Sequence, residues 1–206
     1  MHLLRSVKQC YRAIEGKIAV STDILFFLAI ALLLVPLQWL MAWILAITIH
    51  ELFHYLALRI SGASVMHIRI SCKGVVMDTD ALPLWREAFC AYAGPVGALI
   101  ILFFSSYLPR TAICTLVFSA YNLLPVFPLD GGRGLACIIK NVLPERLAVP
   151  ILLAIENIVL ASIVIISLYS VFKLGLGLVP AGLALILLVR SKGIKFPCKK
   201  QLLGVQ

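Results

Sequence analysis

A chain of 206 residues that is 62% hydrophobic and 13% charged, with a mean hydropathy of +1.06, carries more apolar surface than a soluble domain of this size can bury. These values exclude an ordinary soluble domain and point to one integral membrane domain, with no room for a substantial second one. The formal charge of +9 would suit nucleic acid, but its distribution, described below, ties it to membrane orientation instead.

The N-terminal stretch MHLLRSVKQCYRAIEGK is polar and lacks a small-residue cleavage site before the first apolar run, so residues 1–17 read as a retained cytosolic segment. A transmembrane helix needs about 20 mainly apolar residues. The first expected span covers residues 18–37, with Pro36 marking a bend, and a second follows at once over residues 38–60. Residues 61–85 break the pattern. Here SVMHIRIS and KGVVMDTD alternate in polarity and carry β-branched residues, which predicts a short hairpin. A third span is expected over residues 86–108 and a fourth over residues 111–124. The fourth ends in the proline-rich break PVFPLDGGR, followed by the short apolar segment GLACIIKNVL. Fifth and sixth spans are expected over residues 147–171 and 174–189, and the basic tail 190–206 on the membrane surface.

The fold class is therefore an all-α membrane protein of about six transmembrane helices, with a short membrane-associated β-hairpin between the second and third. Six spans put both termini on one side. That side collects the lysines and arginines of residues 1–17, 59–86, 133–146 and 190–200, leaving only Arg110 and Lys173 opposite. By the positive-inside rule both termini are cytosolic, and the basic charge meets anionic lipid without any need for nucleic acid. Six scattered cysteines form no close pair, so neither a disulfide nor a cysteine–zinc site is expected.

Within the second span lies His50-Glu51-Leu52-Phe53-His54, the pattern HExxH. Histidines at i and i+4 share one helical face, so both imidazoles reach one zinc at about 2.0–2.1 Å. Glu51 can then serve water beside the metal as a general base without occupying the metal. Such residues can also be tucked into a bundle by hydrogen bonds. However, an unpaired charge at mid-membrane costs about 3 kcal/mol, and a divalent cation compensates for it directly. A catalytic zinc wants a third protein ligand. Asp130 sits where Pro125, Pro128, Gly131 and Gly132 hold the backbone irregular, expected as a tight turn. The short fourth span rises only about 21 Å, so that break falls near the depth of the histidines in the cytosolic half of the membrane. Asp130 is thus a credible third ligand, with Glu156 the other acid deep in a span.

HELFH on an early span, AGP at residues 93–95 and NLLPVFPLDGG together resemble the site-2 protease family of intramembrane zinc metalloproteases, in its compact sporulation-type branch. The resemblance covers roughly residues 20–190. It implies that His50, His54 and Asp130 bind Zn2+, that Glu51 is the catalytic base, and that Asn122 and the prolines line the cleft. Asn122 is then either a donor to the scissile carbonyl oxygen or a cap on the broken helix. Residues 18–189 become the intramembrane metalloprotease core. The chain shows neither a PDZ insertion nor a C-terminal CBS domain, so regulation through those modules is not expected.

The expected activity is zinc-dependent endoproteolysis in or near transmembrane segments, at a site toward the cytosolic side of a bacterial cytoplasmic membrane. The partners are a transmembrane protein or peptide substrate, membrane lipid and a regulatory membrane partner. The hairpin edge offers strand addition for an unwound substrate. The alternatives are a membrane metal transporter and a catalytically inactive zinc-binding adaptor. A transporter would need a continuous polar route and paired interrupted helices, and an adaptor has no use for Glu51. Gly94, Pro95 and Gly97 read as points of close helix approach, Glu156 and Asn157 as an intramembrane hydrogen bond, and Asp78 and Asp80 as solvated hairpin residues.

Overall fold

In the computed structural model, which describes residues 18–71 and 74–174 together with Gly182 and Leu185, the chain is mainly helical with one small sheet. Ile18–Val20 (β1) pairs in parallel with Val65–Ser71 (β2), bringing Ile18 opposite Ile68 and Val20 opposite Ile70. The expected first span therefore does not begin at residue 18. The backbone of these residues is satisfied by β2, and Ser21 extends the pairing by donating its N–H to the Ile70 carbonyl at 2.9 Å. The helix starts only at Thr22. This helix, Thr22–Leu34 (α1), is apolar all round and has no buried residue, as a lipid-facing helix requires. It ends because Pro36 drives Val35 into the extended region, at φ −118° and ψ 132°.

Leu37–Ile60 (α2) has 24 residues, about 36 Å of rise, enough to cross a hydrocarbon core of about 30 Å. Its buried stripe is Ala42, Ala46, His50 and Ala57, small residues around one imidazole. The helix stops in a glycine cap. Gly62 takes φ +80°, its N–H reaches the Arg59 carbonyl, and the N–H of Ala63 reaches that of Leu58. That cap turns the chain into β2, which pairs antiparallel with Gly74–Thr79 (β3). The hairpin is as expected, but β1 makes the sheet three-stranded in the order β1-β2-β3. β3 is consequently an edge strand among the described residues.

Leu84–Ala98 (α3) carries Pro95 internally and continues as a 3-10 segment, Leu99–Phe104. Pro109–Asn122 (α4) opens with proline at its first position, where the missing N–H has no partner to lose. After the break come Asp130–Val142 (α5) and Glu145–Leu174 (α6). Gly131 and Gly132 do not form the expected tight turn; they lie in the first turn of α5. Their φ values are ordinary, since the positive-φ glycines are Gly62 and Gly74. What requires glycine is proximity, because a β-carbon at Gly131 would strike the Leu123 carbonyl and one at Gly132 the backbone of Val126.

Three described helical stretches are long and apolar enough to cross a membrane: Leu37–Ile60, Leu84–Phe104 and Glu145–Lys173. The expected first and fourth spans correspond to shorter helices of 13 and 14 residues. The N-terminal segment and the basic tail lie outside the described residues, as does the sixth span apart from Leu174, Gly182 and Leu185. Small side chains set the packing around the site. Cys114 of α4 sits on Ala42 and Ala46 of α2, and one turn on Trp43 meets Phe118 edge to face at 6.1 Å. Large apolar side chains point outward instead, with Phe103 87% exposed and Leu33 85%.

Candidate metal centre

The two histidines of α2 stand one turn apart on its buried face, and the start of α5 faces them. His50 Nε2 and His54 Nε2 are 3.1 Å apart, and Asp130 Oδ2 lies 3.1 Å from each. A tetrahedral ion with bonds of about 2.0 Å would separate its ligand atoms by about 3.3 Å, so the triangle has the size for one. This is the one group of three metal-capable side chains found among the described residues.

The donor chemistry also fits a cation. His54 Nδ1 lies 2.8 Å from the Cys90 carbonyl and donates its hydrogen there, which leaves a lone pair on His54 Nε2. Asp130, ionised, offers only lone pairs. Acceptors converging at this distance repel unless something positive lies among them. His50 is 2% exposed, its ring edge-on to Phe118 with centroids at 4.9 Å, and its Nδ1 has no hydrogen-bond partner among the described residues. Gly94 of α3 completes the cradle, because a β-carbon there would overlap His54 Nε2. The small residue thus serves close approach, as expected, at the imidazole itself.

Glu51 follows His50 and lines a cavity of ≈ 250 Å³ that opens beside the triangle. The other walls are His54 and Leu58 of α2, residues 75–77 and Thr79 of β3, Glu87 and Cys90 of α3, and Asp130 and Arg133 of α5. An edge strand therefore borders the centre. Asp80 lines the same cavity and accepts from the Ser64 N–H at 3.3 Å, while Asp78 pairs with Arg69 at 2.9 Å on the sheet.

Asn122, the last residue of α4, donates its Nδ2 hydrogen to the Phe118 carbonyl at 3.0 Å and does not line the cavity. That bond runs back into its own helix and does not reach across the break that follows. Glu156 is buried on α6 and lies outside the His–His–Asp group. His67 is exposed on β2, and His2 lies outside the described residues. Sequence reasoning missed the contribution of α3. The Cys90 carbonyl is a backbone group with no sequence signal, and Tyr92 reaches the Gly131 carbonyl at 3.4 Å only because Gly134 leaves room for its ring. Arg133 had a signal, since three residues beyond Asp130 on a helix means the same face.

Fold and site define a helical membrane protein with a two-histidine, one-aspartate centre. No protein-family model matches the chain. Over 110 residues it is 29% identical to the zinc metalloprotease MJ0392 of Methanocaldococcus jannaschii, a stretch that is 47% of this chain and 32% of that relative. The matched region thus spans about a third of the relative's length. The site-2 protease from Methanocaldococcus jannaschii shares the fold, with a TM-score of 0.61 at 19% identity over 88% of this chain and 93% of that one. In motif and in fold, the chain resembles the site-2 protease family of zinc metalloproteases.

Proposed function

We propose that the chain is a zinc-dependent intramembrane endopeptidase. It hydrolyses peptide bonds in or near transmembrane segments of membrane-protein substrates, at a site toward the cytosolic side. The observation that carries this reading is the convergence of His50 Nε2, His54 Nε2 and Asp130 Oδ2 at 3.1 Å beside a cavity that Glu51 shares.

His50, His54 and Asp130 would hold the metal. Bound there, zinc supplies Lewis acidity toward water and toward a peptide carbonyl. The remaining work falls to the protein. The Cys90 carbonyl fixes the His54 tautomer, and Gly94 fixes where its ring sits. The Glu51 carboxylate takes the proton from water as its oxygen attacks, then delivers it to the leaving amine. Helical substrates hide their carbonyls in backbone hydrogen bonds and must unwind first. The edge of β3, unpaired among the described residues and on the cavity wall, suits an extended segment added as a further strand. The partners are accordingly a transmembrane protein or peptide and the surrounding lipid, with a membrane regulator as a further candidate. A topology of about six spans with both termini cytosolic is supported by the lysine and arginine distribution.

The decisive comparison uses purified full-length protein in detergent with a transmembrane peptide. Glu51→Gln should keep its zinc and lose cleavage. Full cleavage by the zinc-loaded variant would remove Glu51 from the mechanism, and a wild-type protein without zinc that still cleaves would sink the reading as a whole.

A further inference from the structure

Hydrolysis of a peptide bond places charge on one atom that the roles above leave to the metal alone. The water oxygen bonds to the carbonyl carbon and the π pair moves onto the carbonyl oxygen. The pair then returns as the C–N bond breaks and the amine leaves with a proton. A preorganised donor aimed at that oxygen is commonly the largest single contribution a protein makes. Asn122 is poorly placed for it, with its Nδ2 on the Phe118 carbonyl and its side chain off the cavity wall.

Arg133 is placed for it. It lies three residues after Asp130 on α5, about 4.5 Å further along the helix and on the same side. It lines the cavity with Glu51, His54 and Asp130, and is the one lysine or arginine among the described residues that do. Glu51, Asp80 and Glu87 line that cavity as well, yet Arg133 makes no ion pair with any described residue. Asp80 is turned to the Ser64 N–H. An exposed guanidinium that forms no direct ion pair with the carboxylates of its own cavity still has its planar fork of N–H donors to offer.

We infer that Arg133 is a catalytic residue, donating from its guanidinium to the oxygen of the scissile carbonyl as that oxygen gains charge. Arg133 donates hydrogen bonds and transfers no proton, and it acts on the substrate rather than through the metal ligands. The inference rests on the proteolytic reading.

The test compares wild type, Arg133→Gln and Arg133→Lys as zinc-loaded full-length proteins. One arm measures kcat and KM on a transmembrane peptide. The other measures binding of a phosphinate peptide, whose tetrahedral anion mimics the charged oxygen, against the matching amide peptide. Arg133→Gln should lower kcat by about 10²–10³ with KM nearly constant. It should weaken phosphinate binding by a similar factor while leaving amide binding and zinc content unchanged. Arg133→Lys should recover part of both losses, because charge remains and the fork is gone. A residue that merely balances the cavity's acids would shift amide and phosphinate binding alike, and that result overturns the proposal. So does a kcat for Arg133→Gln within about threefold of wild type. In both cases wild type still cleaves, which leaves the proteolytic reading standing; a zinc-loaded wild type that cleaves nothing overturns both.

Discussion

The Nδ1–H of His54 donates to the backbone carbonyl of Cys90 at 2.8 Å, and this bond ties the metal-binding face of α2 to α3. Two residues further along α3 Tyr92 reaches the Gly131 carbonyl, and two beyond that Gly94 lies against the His54 ring. One helix that contributes no ligand thus positions two of the three. A metal site depends on such outer contacts nearly as much as on its ligands.

The tightest of these contacts is Gly94 against His54. Gly94→Ala would place a methyl group where His54 Nε2 now sits. Zinc affinity should fall by about 10–100-fold, the usual cost of disturbing a ligand's support. Chelator competition on the purified variant measures it, with helix content from circular dichroism as the control. Unchanged affinity would mean that the imidazole can move aside.

Removing the ion should cost stability as well as activity, because three ligand atoms 3.1 Å apart lose the cation that would hold them together. Free zinc at about a thousand times Kd stabilises by about 4 kcal/mol. Wild type and Glu156→Ala should therefore show a chelator-dependent drop in Tm, whereas Asp130→Ala should melt at one temperature with or without chelator. A zinc-dependent shift that vanishes in Glu156→Ala and persists in Asp130→Ala would exchange the two acids' roles.

At the sheet, proline placed singly at Val75, Val76 and Met77 removes one N–H donor at a time, pointing alternately toward β2 and toward the cavity edge. Substitutions at edge-facing positions should slow cleavage of a transmembrane peptide at constant zinc content and Tm. Those facing β2 should lower Tm. Edge-facing prolines that leave turnover intact would argue against strand addition.

Tyr92 and Gly134 offer a test of packing alone. Gly134→Ala drives a methyl group into the Tyr92 ring and should destabilise by about 1–3 kcal/mol. Tyr92→Phe gives up one long hydrogen bond at 3.4 Å and should cost no more than about 1 kcal/mol. Thermal melts with zinc present decide both, and a larger loss from Tyr92→Phe would invert the assignment of ring and hydroxyl.

Much of the centre was legible along the chain because it is local. Histidines at i and i+4 must share a face of α2 whatever surrounds them, and the prolines around residues 125–128 must end α4 before the next helix. Apolar composition alone made α1, α2 and α6 helices for lipid. The positions misread were those decided by partners distant in sequence. Ile18–Val20 is apolar enough to begin a helix, yet the edge of β2 lies alongside and captures it as a strand. Gly131 and Gly132 looked like a turn because glycine permits one, whereas the folded break presses on them so closely that only glycine fits a helix there.

By itself, then, the sequence determined the metal-capable spacing on α2, the break before Asp130 and the apolar faces that lipid solvates, since each follows from helical periodicity or from proline's missing N–H. Tertiary structure decided that Asp130 Oδ2 meets His50 Nε2 across 80 residues of chain, that α3 holds the arrangement, and that β3 and Arg133 border its cavity. The reason is physical. A ligand triangle is a relation among side chains on different helices, and helix packing, set by where alanine and glycine allow close approach, is what brings those helices together.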